Sequence, residues 1–121
     1  MLIFVYGSLK KGFNNNWYLE NSEFVCNDMT EPKWEMINLG SFPGVIPNAS
    51  YNIYGEVYEI DDETLKMLDQ LEGHPTLYTR KTVKLKKTKE PVWMYIFNDY
   101  ELYDYDWDKI QQVGNVLIWR G

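Results

Sequence analysis

One amphipathic helix, in a chain otherwise patterned as strands, is the feature that most restricts the fold. Residues 61–75 read DDETLKMLDQLEGHP, in which apolar side chains recur at helical spacing. Asp61 is a favourable N-cap, and Gly73 and Pro75 end the helix in the order that helix termini prefer. The spacing therefore predicts a helix over about residues 62–73 with one apolar face in a core. That face consists of Leu65, Met67, Leu68 and Leu71.

Glu72 lies in the last turn of this predicted helix, next to the apolar face. The carbonyl end of a helix carries partial negative charge and apolar neighbours desolvate a carboxylate, so both effects raise its pKa. A carboxyl group tuned in this way suits a general base near neutral pH. Position alone is also compatible with a surface glutamate that frays the helix end.

The rest of the chain is patterned as strands separated by residues that favour turns. Residues 40–47, with two glycines and two prolines, are expected to form a loop. About six or seven strands and one main helix predict an α+β fold, in which a small mixed β-barrel or curled sheet packs against the helix. The predicted strands lie at residues 2–6, 23–29, 33–39, 53–60, 78–85, 92–97 and 116–119.

Composition limits the classes of function. The 121 residues, 45% of them apolar, are expected to form a single domain over residues 1–121. The net charge of −6 argues against a nucleic-acid partner, and no stretch approaches the ~20 apolar residues of a membrane span. The first residues, MLIFVYG, read as a strand rather than a signal peptide. Cys26 is the only cysteine, so we expect a small core residue in a soluble, cytoplasmic protein without a disulfide.

The first predicted strand ends in a loop bracketed by Gly7 and Gly12. Gly7 would let the backbone approach a ligand, and successive N–H groups in such a loop can bind a carboxylate or an oxyanion. The same residues are compatible with a plain tight turn.

Four short motifs, taken in order, resemble the gamma-glutamylcyclotransferase-like superfamily and most closely its gamma-glutamylamine cyclotransferase (AIG2-like) branch. They are VYGSLKKG at Val5–Gly12, FPG at Phe42–Gly44, YGEVYEI at Tyr54–Ile60 and LDQLEGHPTLYTR at Leu68–Arg80. The resemblance implies a small mixed β-barrel flanked by helices, with a cavity lined by the first loop and by an acidic residue.

The resemblance also implies a site and a reaction. The reaction converts an L-γ-glutamyl amide into 5-oxo-L-proline and a free amine or amino acid. Because the substrate carries its own nucleophile, the α-amino group, neither a cofactor nor a metal is implied. Carried over by position, Glu72 matches the catalytic acid/base, Tyr6, Gly7, Ser8 and Leu9 match the substrate-binding loop, and Tyr78 and Arg80 match a supporting Tyr-x-Arg.

Several alternatives stay open. His74, the only histidine, is a rival base, although its place beside Pro75 favours a loop residue. The acidic segment 99–108 imitates a calcium loop at Asp104 but lacks the glycine and final glutamate of that motif. The barrel could be a non-catalytic binding module, or the segment could bind a protein partner. The leaving group (an amine, an amino acid or the cysteinylglycine of glutathione) and the oligomeric state are also open.

Overall fold

The computed structural model describes residues 1–47, 50–99 and 106–121. These residues form nine strands, one α-helix and a short 3-10 helix at Asn16–Leu19. Seven strands make one mixed sheet, and β3 and β4 make a separate hairpin that packs against it. The elements are β1 (Leu2–Val5), β2 (Glu23–Met29), β3 (Trp34–Asn38), β4 (Pro43–Pro47), β5 (Asn52–Glu59), α1 (Asp62–Glu72), β6 (Tyr78–Val83), β7 (Val92–Phe97), β8 (Ile110–Val113) and β9 (Val116–Trp119).

Strand β5 is the centre of the sheet because it pairs with three others. β1 and β2 lie antiparallel along its two edges, and β9 pairs in parallel with its first two residues. β7 lies parallel to β1, and β6 lies antiparallel to β7. Gly55 permits the close approach that a glycine inside a strand suggests, since a Cβ there would lie 2.3 Å from the carbonyl oxygen of Val5.

The sheet curls until β2 meets the chain that follows β6. Thr30 forms an antiparallel bridge with Leu85. Beside it the buried carboxylate of Asp28 accepts hydrogen bonds from the backbone N–H of Lys87 at 3.0 Å and from the N–H and hydroxyl of Thr88 at 2.8 and 2.7 Å. This contact joins the two ends of the strand series β2-β5-β1-β7-β6 and completes a barrel-like curl.

The predicted helix is confirmed as α1, one residue shorter than expected because Gly73 already has left-handed geometry (φ 63°). Asp61 is its N-cap, and the carboxylate accepts a 2.8 Å hydrogen bond from a first-turn N–H. Leu68 is fully buried, as predicted. The prediction that Met67 belongs to the apolar face in the core is wrong, since 43% of its surface is exposed.

The described residues form nine strands rather than the six or seven expected, because two short strands carry no clear sequence pattern. β4 lies inside the predicted loop, with a proline at each end, where the missing N–H disturbs the ladder least. Gly44 within it packs against β7, and a Cβ there would lie 2.8 Å from the Cβ of Phe97. The prolines and the glycine are thus compatible with a strand at this position. The second addition is β8, paired with β9.

The α+β class and the curled mixed sheet are confirmed. Cys26 is only partly buried and lies at the edge of an apolar cluster, so it is not the full core residue expected. No helix within residues 1–47, 50–99 and 106–121 is long and apolar enough to cross a membrane.

Candidate active site

A cavity of about 220 Å³ opens between the loop after β1, the start of β4 and the carbonyl end of α1. This is smaller than the ~300–1,000 Å³ typical of pockets for drug-sized ligands and suits a small metabolite. Of the predicted site residues, Arg80 alone is not among its lining residues. The lining consists of Phe4, Val5, Tyr6, Gly7, Ser8, Leu9, Asn15, Phe42, Pro43, Leu71, Glu72, Leu77, Tyr78 and Tyr95.

The loop after β1 is a tight turn packed against β4. A Cβ on Gly7 would lie 2.7 Å from the ring of Pro43, so only glycine fits this approach. The carbonyl of Gly7 accepts from the N–H of Lys10 at 3.1 Å, and Asn15 binds both the carbonyl and the hydroxyl of Ser8. Within the described part of the chain, the N–H groups of Gly7, Ser8 and Leu9 have no hydrogen-bond partner. They are therefore free to bind an anionic group.

The opposite side of this loop is anchored to the sheet. A carboxylate oxygen of the buried Glu56 accepts from the N–H of Lys11 at 2.9 Å and from the hydroxyl of Tyr58 at 3.0 Å. The Lys10 ammonium is also buried and donates at 2.9 Å to the carbonyl of Trp119. Burial lowers the pKa of Lys10 to about 8, although Glu56 opposes the shift. The loop is held in place, and the ammonium group of Lys10 is bound at β9 instead of lining the cavity.

Glu72 reaches the cavity from the last residue of α1. Burial raises the pKa of its carboxyl group to about 7, in the direction expected from its position. The carboxylate in turn adds to the raised pKa of Tyr6 and Tyr95, in both of which burial is the main cause. A carboxyl group with this pKa can accept and return a proton near neutral pH.

Three tyrosines form much of the wall, and each hydroxyl donates within the protein. Tyr6 donates to the carbonyl of Tyr95 at 2.7 Å, and Tyr78 to the carbonyl of Pro43 at 2.8 Å. Tyr95 donates at 2.7 Å to a carboxylate oxygen of Asp69. The rings are thereby fixed, which keeps the cavity preformed.

Arg80 lies behind the cavity rather than in it. Its guanidinium binds both carboxylate oxygens of Asp69, at 2.8 and 3.1 Å, and lies over the ring of Trp93. The sequence did not single out Asp69, because an acid between the apolar positions of an amphipathic helix reads as a solvent-facing residue. Tyr95 was missed because a tyrosine within an apolar strand reads as core.

His74 does not share the cavity with Glu72. Its Nδ1 accepts from the backbone N–H of Arg80 at 3.3 Å, so it supports the turn after α1. Among the described residues no group of three or more His, Cys, Asp or Glu side chains is arranged to hold a metal ion. Asp104, at the centre of the calcium-loop resemblance, lies outside the described residues, as do residues 100–105 as a whole.

The curled mixed sheet places the glycine loop and the carboxyl group at the helix end on one cavity, and comparison with known proteins gives the class of the chain. The chain belongs to the family described as gamma-glutamyl cyclotransferase, AIG2-like, whose model matches residues 3–112.

Relatives and solved structures agree with this assignment. A candidate gamma-glutamylcyclotransferase of Methanocaldococcus jannaschii is 46% identical over 101 residues, which cover 78% of this chain and 82% of the relative. Gamma-glutamylaminecyclotransferase A of Danio rerio is 35% identical over 96 residues, 72% of this chain and 60% of that protein. An AIG2-like protein of Mus musculus shares the fold, with a TM-score of 0.75 over 87% of this chain and 84% of that one at 24% identity.

Proposed function

We propose that this enzyme converts an L-γ-glutamyl amide into 5-oxo-L-proline and a free amine or amino acid. One observation carries the proposal: Glu72, with its pKa raised to about 7, shares a 220 Å³ cavity with the unpartnered N–H groups of Gly7, Ser8 and Leu9. A proton acceptor and an anion-binding loop are the two elements that this reaction requires.

In the proposed mechanism Glu72 takes a proton from the α-ammonium group of the substrate, which is mainly protonated near pH 7. The neutral α-nitrogen then attacks the γ-carbonyl carbon and forms the five-membered ring. Glu72 returns its proton to the amide nitrogen as the bond from that carbon to this nitrogen breaks. The ring nitrogen then loses its second proton, by way of Glu72, to the released amine, so the products are the neutral lactam of 5-oxo-L-proline and an ammonium group on the leaving half. Every proton is accounted for within the substrate and one carboxyl group.

The loop contributes binding and orientation. Its N–H groups are suited to the α-carboxylate of the substrate or to the oxyanion that forms during attack. Holding the amine against the carbonyl supplies a proximity effect that reaches ~7–11 kcal/mol at its best. The anchoring of the loop by Glu56 and its packing on Pro43 support this role, because a fixed loop loses little freedom when it binds a ligand.

The substitution Glu72→Gln tests the proposal, because it preserves shape and removes the proton acceptor. We expect 5-oxoproline release from γ-glutamyl amides to fall about 10²–10⁴-fold, with the fold intact by circular dichroism. Glu90→Gln, an exposed glutamate in the turn before β7, is the matched control and should keep full activity.

Two outcomes would contradict the proposal. Near-normal turnover in Glu72→Gln would remove Glu72 from the mechanism. Wild-type protein that binds 5-oxoproline but releases none from any γ-glutamyl amide or amino acid would identify the cavity as a non-catalytic binding site.

A further inference from the structure

The run Asn14–Asn16 follows the loop after β1, and two of its side chains bind that loop. The side-chain amide of Asn15 donates to the hydroxyl of Ser8 at 2.9 Å, and the backbone N–H of Asn15 donates to the carbonyl of Ser8 at 3.0 Å. The side chain of Asn16 donates to the carbonyl of Leu9 at 2.8 Å. Of the three asparagines, Asn15 alone lines the cavity, where two hydrogen bonds hold it to Ser8.

The bond from Asn15 restricts what the Ser8 hydroxyl can do. A serine hydroxyl has one proton to donate and two lone pairs that accept. Asn15 occupies a lone pair, so the proton is not used between these two side chains. Within residues 1–47, 50–99 and 106–121 no other group accepts a hydrogen bond from this hydroxyl. Because Ser8 lines the cavity and is partly exposed, its O–H is free to donate to a ligand there.

The O–H group of Ser8 adds a fourth donor to the three unpartnered N–H groups of residues 7–9. The described lining residues include no lysine, arginine or histidine, so an anionic group in the cavity must be held by neutral donors of this kind. An oxyanion is a single oxygen, whereas a carboxylate has two oxygens with about four lone-pair sites. Four donors on one loop therefore match a carboxylate better than an oxyanion.

Resting on the proposed function, we infer that the Ser8 hydroxyl binds the α-carboxylate of the γ-glutamyl substrate and that Asn15 is the positioning residue that orients this hydroxyl. Asn15 acts through Ser8 and keeps the hydroxyl proton directed at the ligand. Without the amide of Asn15 the hydroxyl is free to rotate, and ordering it on binding costs free energy. A contact to the α-carboxylate exists in the bound substrate and in the transition state alike, so its loss raises KM and leaves kcat unchanged.

The first test measures the steady-state kinetics of 5-oxoproline release from an L-γ-glutamyl amide. We expect Ser8→Ala to raise KM about tenfold or more and to keep kcat within about threefold of wild type, as for a lost hydrogen bond to a charged group. Ser8→Thr retains the hydroxyl and should keep KM within about threefold. Asn14→Ala, at an exposed site, is the matched control and should equal wild type in both constants. Circular dichroism checks the fold of each variant.

A double-mutant cycle tests whether Asn15 acts through Ser8. Asn15→Ala should raise KM about three- to tenfold alone and less than about twofold when combined with Ser8→Ala, because the group that it orients is then absent. Asn16→Ala is the comparison, since it removes the bond to the carbonyl of Leu9 and should have the same effect in both backgrounds. A purely structural role for Asn15 would give it the additive behaviour of Asn16.

Ligand binding is a second measurement, which does not depend on turnover. NMR titration of wild-type protein should give 5-oxo-L-proline an at least about tenfold lower Kd than pyrrolidin-2-one, which is the same ring without the carboxylate. Ser8→Ala should weaken the binding of 5-oxo-L-proline about tenfold and leave that of pyrrolidin-2-one unchanged.

The outcomes separate this inference from the proposed function. An unchanged KM and an unchanged affinity for 5-oxo-L-proline in Ser8→Ala overturn the inference and leave the cyclotransferase proposal standing. A loss confined to kcat also overturns it, because the hydroxyl then serves the oxyanion. Equal effects of Asn15→Ala in both backgrounds overturn the positioning role. If no γ-glutamyl compound releases 5-oxoproline, the proposed function fails, and the two titrations alone decide whether Ser8 binds the carboxylate.

Discussion

At the scale of single residues, folding moves the Glu72 carboxyl group from water into a cavity whose lining residues also include Leu71 and Leu77. Burial favours the neutral form and raises the pKa to about 7. The same desolvation that makes the group a useful proton acceptor also opposes its ionisation in the folded protein. Activity and stability should therefore depend on pH in opposite directions.

The first prediction concerns the rate. Because Glu72 must be ionised to take the substrate proton, kcat/KM should rise with pH and level off above a midpoint near 7, its folded pKa. A pH profile of 5-oxoproline release from about pH 4 to about pH 9 measures this midpoint. A midpoint near the ordinary glutamate value of 4.5 would mean that the carboxyl group is not desolvated in the free enzyme.

The second prediction concerns stability. The folded pKa of Glu72, about 7, exceeds its ordinary value of 4.5, so the folded state binds the proton more tightly. Stability should therefore fall as pH rises from 4.5 to 7. Glu72→Gln removes this penalty, and urea unfolding should show the variant more stable by at most about 3 kcal/mol at pH 8 and little changed at pH 4. An equal difference at both pH values would contradict the linkage, and Glu90→Gln is the control.

Sequence reasoning singled out Glu72 from two local cues, a helix end and an apolar face, and the family resemblance then made it the main candidate. It did not reach Asp69, whose cue is a partner eleven positions later on another strand. Lys10 reads as a loop cation, and its burial depends on β9, at the far end of the chain. The local sequence pattern predicts the secondary structure and exposure of a residue. Its hydrogen-bond partners depend on which elements the topology brings together.

At the scale of elements, Asp69 joins α1 to the β6–β7 hairpin. It binds the guanidinium of Arg80 on β6 and the hydroxyl of Tyr95 on β7. Burial alone would raise the pKa of Asp69, but the hydrogen bonds from Arg80 and Tyr95 outweigh it and lower the pKa below its usual value. The helix end that carries Glu72 is thereby fixed to the strand that forms the cavity wall.

The third prediction is that Asp69→Asn loosens this junction. Removing the charge leaves the partly buried Arg80 without its counter-ion, and we expect a loss of about 1–3 kcal/mol in the free energy of unfolding. Because the native carboxylate has a lowered pKa, the difference from wild type should shrink as pH falls through that pKa. Urea titrations at pH 7 and pH 3 measure both. Asp99→Asn, at an exposed site, is the control, and an equal loss there would exclude a specific role for Asp69.

Element boundaries were predicted best where a strand has a continuous apolar or alternating pattern. β2, β7 and β9 have the expected bounds. β4 was missed because Pro43 and Gly44 are usually read as strand breakers. In the structure both residues fit against side chains or backbone that lie far away in the sequence. Pro43 packs on Gly7, and Gly44 makes room for Phe97. A glycine required by close packing cannot be distinguished in the sequence from a glycine required by a turn.

At the scale of the whole molecule, the curl of the sheet creates the cavity, and the curl is completed where β2 meets residues 85–88. β1 carries the loop that lines the cavity and lies beside β7 and β6 in the sheet, and the Thr30–Leu85 bridge joins the end of that series to β2. The buried Asp28 is the polar centre of that closure. Burial alone would raise its pKa, but hydrogen bonds, led by those from Thr88, lower it below the usual value.

The fourth prediction tests this closure. Asp28→Asn replaces one acceptor oxygen with an N–H₂ group that confronts the N–H groups of Lys87 and Thr88, so we expect a loss of about 2–4 kcal/mol in the free energy of unfolding at pH 7. Thr88→Ala removes only the hydroxyl donor and should cost about 1 kcal/mol. The pKa of Asp28 is lowered in the folded protein, so its contribution to the free energy of unfolding is present at pH 7 and is lost as pH falls through the folded pKa. The Asn variant and wild type should therefore converge in acid.

Hydrogen exchange should locate the added opening at Thr30 and Lys87, which flank the junction. Losses of the same size in both variants, or faster exchange confined to β8, would mean that the sheet is closed by some other contact.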